Sequence, residues 1–142
     1  MPRVFVVGCD ESTGNRAELE SREIEWNLPI RAKIGDLVLM YRSRPTSAIR
    51  DVWRVVGPFH IYEKGNKRHR PGRQGFLRRV VTLRKPLTYK SLASNPRTKD
   101  LPLLRRRLRG KCDITDDWHM IHDTLVADNP DARGRLRSWV YQ

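Results

Sequence analysis

Cysteine is scarce in this 142-residue chain: only Cys9 and Cys112 are present, too few and too far apart for a zinc cluster. Two such residues are expected as free, buried thiols in a reducing cytoplasm, not as a disulfide. Long apolar runs are missing as well, with no stretch near the roughly 20 residues that span a bilayer. The opening MPRVFVVGCDE meets acid too early for a signal peptide. These absences predict a soluble, cytoplasmic protein. The most telling scarcity is of acids. Between Lys64 and Lys111 a single carboxylate, Asp100, stands among seventeen Lys or Arg side chains, one of the chain's 16 acids against 17 of its 29 basic residues. That block nets +16 and the remainder −3. Charge sorted this sharply is an electrostatic footprint for a polyanion, and a nucleic acid is the first candidate.

What is present supports one folded core. The length suits a single domain, and the apolar 38% gathers into β-like runs despite 32% charged residues. Val4 to Val7, ended by Gly8, reads as a buried strand. Asn15 to Glu25 is rich in helix formers and predicts a short helix, followed by Trp26 and the breaker Pro29. Ile34-Gly35-Asp36 makes a turn into the buried strand Leu37 to Tyr41. Pro45 to Ser47 is a turn, Ile49 to Val56 a half-exposed strand closed by Gly57-Pro58, and Phe59 to Tyr62 can continue the sheet. The basic stretch Lys64 to Gln74 reads as a loop. Phe76 to Leu83 is the next strand, with Pro86 ending it.

Thr88 is placed to cap a helical turn through Leu92. Leu101 to Leu108 is a short helix or extended piece with buried leucines. Thr115 is a good N-cap, with Asp116 and Asp117 opposing the helix dipole. Trp118, Ile121, His122 and Leu125 follow helical spacing, so this last helix packs on the sheet. There is no internal repeat. The expected architecture is α+β, a strongly curved mixed β-sheet or pseudo-barrel of five to six strands with short helices packed around it.

Several pieces in order then carry a resemblance. Trp26-Asn27, Lys33-Ile34-Gly35-Asp36, Leu37 to Tyr41, Ser43, Ile49 and Val52 to Val56 resemble the EVE domain of the PUA-like superfamily. Pro86-Leu87-Thr88 with Leu92, Leu101 to Arg105, and Ile114-Thr115 with Trp118 and Ile121 look like that family's C-terminal run. The resemblance covers roughly residues 3 to 126. It places an EVE/PUA-like domain at 1–128 and leaves 129–142 as a basic tail or extension. The departures are the basic insert at Lys64 to Gln74, the arginines at Arg105 to Arg109 and the tail. The resemblance implies a PUA-like pseudo-barrel with a concave pocket, related to YTH and ASCH domains, in which relatives capture a modified base flipped out of a strand between aromatic walls. Aromatic stacking of ~1–3 kcal/mol per base offsets the lost base stacking.

On that expectation Trp26 forms one face of the cage, since it precedes a Pro-containing loop and YTH relatives carry a cage Trp at the equivalent place, or else it covers the barrel end. Asn27 is placed to bond a base edge or to cap a loop. Tyr41, with Ser43 beside it, supplies an opposing wall or packs in the core. Trp53 belongs to the pocket or to the core. Asp10 or Ser12, after the first strand, recognises an exocyclic amine or is simply a solvated loop residue. Phosphates are expected at Lys67, Arg68, Arg70 and Arg73 in the loop, at Arg78, Arg79, Arg84 and Lys85 on the strand, and at the cluster Arg105, Arg106, Arg107 and Arg109.

The function expected is a non-catalytic reader of modified DNA, most of all 5-methylcytosine, serving as targeting module of a modification-dependent restriction system with a nuclease or NTPase partner. The alternatives are an RNA-binding PUA-like domain acting on tRNA or rRNA, and a reader of 6-methyladenine. Catalysis finds little support. The His-x-Glu with following Cys-x-x-Cys of zinc deaminases is missing, and Asp51 and Glu63-Lys64 do not give the Glu-x-Lys of a common metal nuclease. His119, His122 and Asp123 can share a helix face, but such a pair on a partly apolar helix is a packing feature. No metal and no cofactor are expected.

Overall fold

A computed structural model of the chain describes residues 2–9, 19–43, 46–62, 72–105 and 111–140. The apolar runs become strands: β1 (Val4–Cys9), β2 (Glu23–Asn27), β3 (Leu37–Arg42), β4 (Ala48–Tyr62), β5 (Gly72–Thr88) and β6 (Lys111–Asp113). They form one mixed sheet in the order β2-β5-β4-β3-β1-β6. β1 and β3 run parallel, and the other pairings are antiparallel. The helices are short: α1 (Tyr89–Ser94), α2 (Pro102–Arg105), α3 (Trp118–Asp128) and α4 (Ala132–Arg135).

Period-2 alternation splits the sheet's side chains into two cores. On the first face Val4, Val6, Leu37, Leu39, Val52 and Val81 meet Leu92, Ile121, Leu125 and Leu136 from the helical layer. On the second, Phe5, Val7, Val38, Met40, Trp53, Val55 and Leu77 enclose Leu19, Leu28 and Ala32. This inner core also holds a buried charge cluster. Asp51 Oδ2 accepts from Arg42 Nε at 2.8 Å, and its Oδ1 accepts from Arg79 Nη1 at 2.7 Å. The sheet is not closed into a barrel, since β2 and β6 are not paired with each other. Its edges nevertheless approach: Lys111 Nζ, on β6, donates to Asn27 Oδ1 at the end of β2 and reaches the Leu28 carbonyl at 3.4 Å.

The Gly-Asp turn is an anchor for this sheet. Gly35 has φ 97°, a region open to glycine at little cost. Asp36 is buried, and its two carboxylate oxygens accept from the Arg3 and Lys33 amides at 2.9 and 2.8 Å. At the far edge Thr115 ties β6 to β1, its hydroxyl accepting from the Val4 amide and donating to Asp113. Burial raises the Asp113 carboxyl, but the Thr115 hydroxyl and amide together with Arg3 outweigh it and hold the group below its ordinary value.

Several expectations change: β4 runs through Gly57-Pro58 instead of ending there, and Cys112 is only half-buried. The predicted helix over Asn15 to Glu25 is overturned at its C-terminal part, because Glu23–Asn27 is an edge strand with Ile24 turned in. The basic loop ends before Gln74, since β5 begins at Gly72. Pro86 does not end β5: the pairing jumps from Asp51↔Thr82 to Ile49↔Leu87, so Pro86 sits in a bulge where no ladder N–H is required. Thr115 opens a 3-10 turn, Thr115–Asp117, and α3 starts only at Trp118. The helical face Trp118, Ile121, His122 and Leu125 is buried as expected, and the Thr88 hydroxyl caps α1 through the Ser91 amide at 3.0 Å.

The segment after Asn129 packs on the first core. Ala132 and Leu136 are fully buried, and Trp139 Nε1 donates to the Gly35 carbonyl at 2.9 Å. Trp118 Nε1 in turn donates to the Trp139 carbonyl at 3.1 Å.

One close approach invites a test. Gly75 lies on β5 opposite Trp26 on one side and Phe59 on the other. A Cβ there would stand 2.7 Å from Leu28 Cδ1 and 2.9 Å from Phe59 Cδ1. Gly75→Ala is therefore expected to cost about 1–3 kcal/mol through overpacking, read as a lower urea midpoint. An unchanged midpoint would mean that Leu28 and Phe59 yield freely.

Candidate nucleic-acid interface

The alternation of β2 turns Ile24 and Trp26 toward the inner core and leaves Glu23 exposed. Trp26, one residue from the strand's end, is only half-buried and packs against that core with Phe59. Asn27 follows, held by Lys111 across the gap between the sheet's edges. Lys111 pairs with Val7 on β1, so the last residues of β1 lead toward the same rim. An indole, an amide and an ammonium group thus lie together along one edge of the inner core. Phe59 and Lys111 were not singled out from sequence. Lys111 closes the basic block, and Phe59 shares a cross-strand row with Trp26 only through the β2-β5-β4 register.

The expected pocket is not assembled as a whole. Tyr41 packs on the first core, in phase with Leu37 and Leu39, whereas Trp26 belongs to the second. The sheet lies between them, so Tyr41 is no opposing wall. Trp53 is a correction too: it is 0% exposed inside the inner core, with Arg79 stacked 4.5 Å from its ring centre, and offers a base no open face. Ser43 is half-buried, its amide donating to the Cys9 carbonyl at 2.9 Å and its carbonyl accepting from Ser47. Asp10 and Ser12 lie outside the described residues.

The cations sort into fixed and available groups. Arg79 is committed to Asp51, Thr82 and the Leu19 and Ser21 carbonyls, so it braces the fold and is withdrawn from the phosphate set. Arg73 Nη1 donates to the Ile30 and Ala32 carbonyls while its guanidinium lies 3.9 Å over Phe59. Arg78 is exposed and pairs with Glu23 at 3.3 Å. Arg84 and Lys85 are exposed near the far end of β5. Lys67, Arg68, Arg70, Arg106, Arg107 and Arg109, with the side chain of Arg105, fall outside the described residues. Among the described residues no three His, Cys, Asp or Glu side chains are grouped to hold a metal ion, and no helix is long and apolar enough to cross a membrane.

No protein-family model matches the chain, and no curated protein matches it. Solved structures do resemble it. A hypothetical protein from Leishmania major superposes with a TM-score of 0.68 at 15% identity, covering 91% of this chain and 98% of that one. Rpa0253 from Rhodopseudomonas palustris gives a TM-score of 0.66 at 12% identity, covering 87% and 92%. Human THYN1, in a complex with DNA containing 5-methylcytosine, gives 0.55 at 12% identity, covering 78% and 90%. At such identities the likeness speaks for architecture alone, an α+β arrangement of one mixed six-stranded sheet with short helices.

Proposed function

We propose that this chain is a non-catalytic nucleic-acid-binding module that takes a flipped, modified base, 5-methylcytosine in DNA above all, at this edge of its inner core. The observation that carries the reading is Trp26: a half-open indole at a rim that also holds Asn27 and Lys111. A flipped base needs a stacking partner, and an indole supplies ~1–3 kcal/mol. One methyl group adds only about 1 kcal/mol of apolar burial. Polar groups must therefore reject the wrong base edge, a role for Asn27, with Lys111 holding it in place. The likeness to THYN1, whose structure contains 5-methylcytosine DNA, supports the same reading. In the cell the module would target a modification-dependent restriction system through a nuclease or NTPase partner.

Bulk affinity comes from phosphate contacts, for which the basic block supplies Arg84, Lys85 and the cations at 67–70 and 105–109. With about 6 contacts, affinity falls on the order of 10³-fold between 50 and 200 mM salt. Arg84→Ser with Lys85→Ser weakens methylated and unmodified duplexes equally and flattens the salt slope by about 2 contacts. A loss confined to the methylated duplex would remove these residues from the phosphate role. The function itself is tested by equilibrium binding to methylated and unmodified duplexes of one sequence, with a structured RNA as competitor. Preference for the methylated duplex is expected; equal affinity for every modification tried ends the proposal, and a clear RNA preference moves it to tRNA or rRNA.

A further inference from the structure

A second basic feature lies on the other face of the sheet. An open cleft of roughly 310 Å³ runs between β4–β5 and the C-terminal segment, lined by Arg54, Arg78, Arg79, Val80, Arg135, Ser138 and Trp139. Arg54 and Arg78 are direct cross-strand partners, and both are exposed. Like charges directly opposite each other destabilise an antiparallel pair. Arg54 has no acidic partner among the described residues, while Arg78 pairs with Glu23 at 3.3 Å. Arg135 adds a third cation, its Nη1 anchored on the Val80 carbonyl at 3.2 Å. Trp139 forms a fixed aromatic wall, tied at Nε1 to Gly35 and at its carbonyl to Trp118.

We infer that this cleft binds the phosphate group of a nucleotide unit, with Arg54, Arg78 and Arg135 on the phosphoryl oxygens and Trp139 beside the base or sugar. Guanidinium groups match phosphate geometry with paired donors, and a bound dianion turns the Arg54–Arg78 repulsion into two attractions. Val80 and Trp139 of the cleft pack on the first core, whereas Trp26 packs on the second. The assignment therefore does not rest on the modified-base reading.

The test compares wild type with Arg54→Gln/Arg135→Gln, both positions being exposed. Three probes are used: inorganic phosphate, thymidine 5′-monophosphate and an unmodified thymidine dodecanucleotide. Wild type should melt higher in phosphate than in chloride of equal ionic strength. Thymidine monophosphate should shift the Trp139 indole N–H resonance saturably, and the double variant should bind it roughly tenfold or more weakly. Arg54→Gln alone should keep or raise the melting midpoint in chloride, since it removes the like-charge pair. A larger loss of dodecanucleotide than of monophosphate binding in the double variant assigns the phosphate to a polynucleotide backbone; a larger loss of monophosphate binding assigns it to a free nucleotide. No gain over chloride, or equal affinity in the double variant, overturns the site. Trp26→Ala should leave these responses intact whatever the methylated-duplex comparison gives, so the two readings fail separately.

Discussion

Trp26→Ala should weaken binding to a methylated duplex roughly 5- to 150-fold, the equivalent of ~1–3 kcal/mol of lost stacking, and erase its preference over the unmodified duplex. Weak, salt-sensitive binding should persist, because the cations are untouched. The residue also packs on the inner core, so its loss carries a folding cost. Trp26→Phe separates the two effects. It keeps an aromatic face and most of the packing, and should retain part of the discrimination. If Trp26→Ala still prefers the methylated duplex by the wild-type ratio, the indole is not the stacking partner.

The second large effect concerns stability. Asp51 is 0% exposed and faces two guanidinium groups, with Arg42 itself 1% exposed. Its Oδ2 lies 2.8 Å from Arg42 Nε and 2.6 Å from Nη2. Asp51→Ala takes from the buried Arg42 the carboxylate that meets both its Nε and its Nη2, while the exposed Glu20 stays 3.5 Å from Nη1. Removing one partner of a buried pair costs about 3–5 kcal/mol, because the other charge stays desolvated without its closest carboxylate. Arg79 suffers less, since it keeps Thr82 and two carbonyls. Urea denaturation should show the loss as a lower midpoint. Asp51→Leu with Arg42→Met should recover most of it, since an apolar replacement of both charges removes the desolvation cost. A single variant within about 1 kcal/mol of wild type would mean that water reaches this cluster freely.

Much of this architecture is written in local patterns. The β-branched run Val4–Val7 and the run Leu37–Tyr41 are strands because nothing in them suits solvent, and Trp118, Ile121 and Leu125 recur at helical spacing. The Gly35-Asp36 turn is legible because its chemistry is local: one positive φ and one carboxylate on two nearby amides. β2 was hidden because its Ile24-Glu25-Trp26 alternation spans only five residues, next to strong helix formers. Pro86 misled for a different reason: whether a proline ends a strand or fills a bulge depends on the partner strand's register.

The candidate site is less legible than the fold. Trp26 and Asn27 end an edge strand, both half-buried, with Trp26 against the inner core. Tyr41 and Trp53, however, are assigned by parity: which face a strand residue takes is set by pairing across strands, and a single sequence does not carry that pairing. The same holds for Lys111, brought to Asn27 from 84 positions away. Arg79 looked like a surface cation because its neighbours are arginines, yet a buried carboxylate on the next strand claims it.

In the proposed complex a modified base sits against Trp26, beside Asn27 and Lys111. The most direct measurement is a co-crystal of the chain with a duplex carrying one 5-methylcytosine. The account predicts the methylated base outside the helix, its ring parallel to the indole and its edge within hydrogen-bond reach of Asn27. A duplex bound with that base still stacked, or extruded onto any other part of the surface, would contradict it.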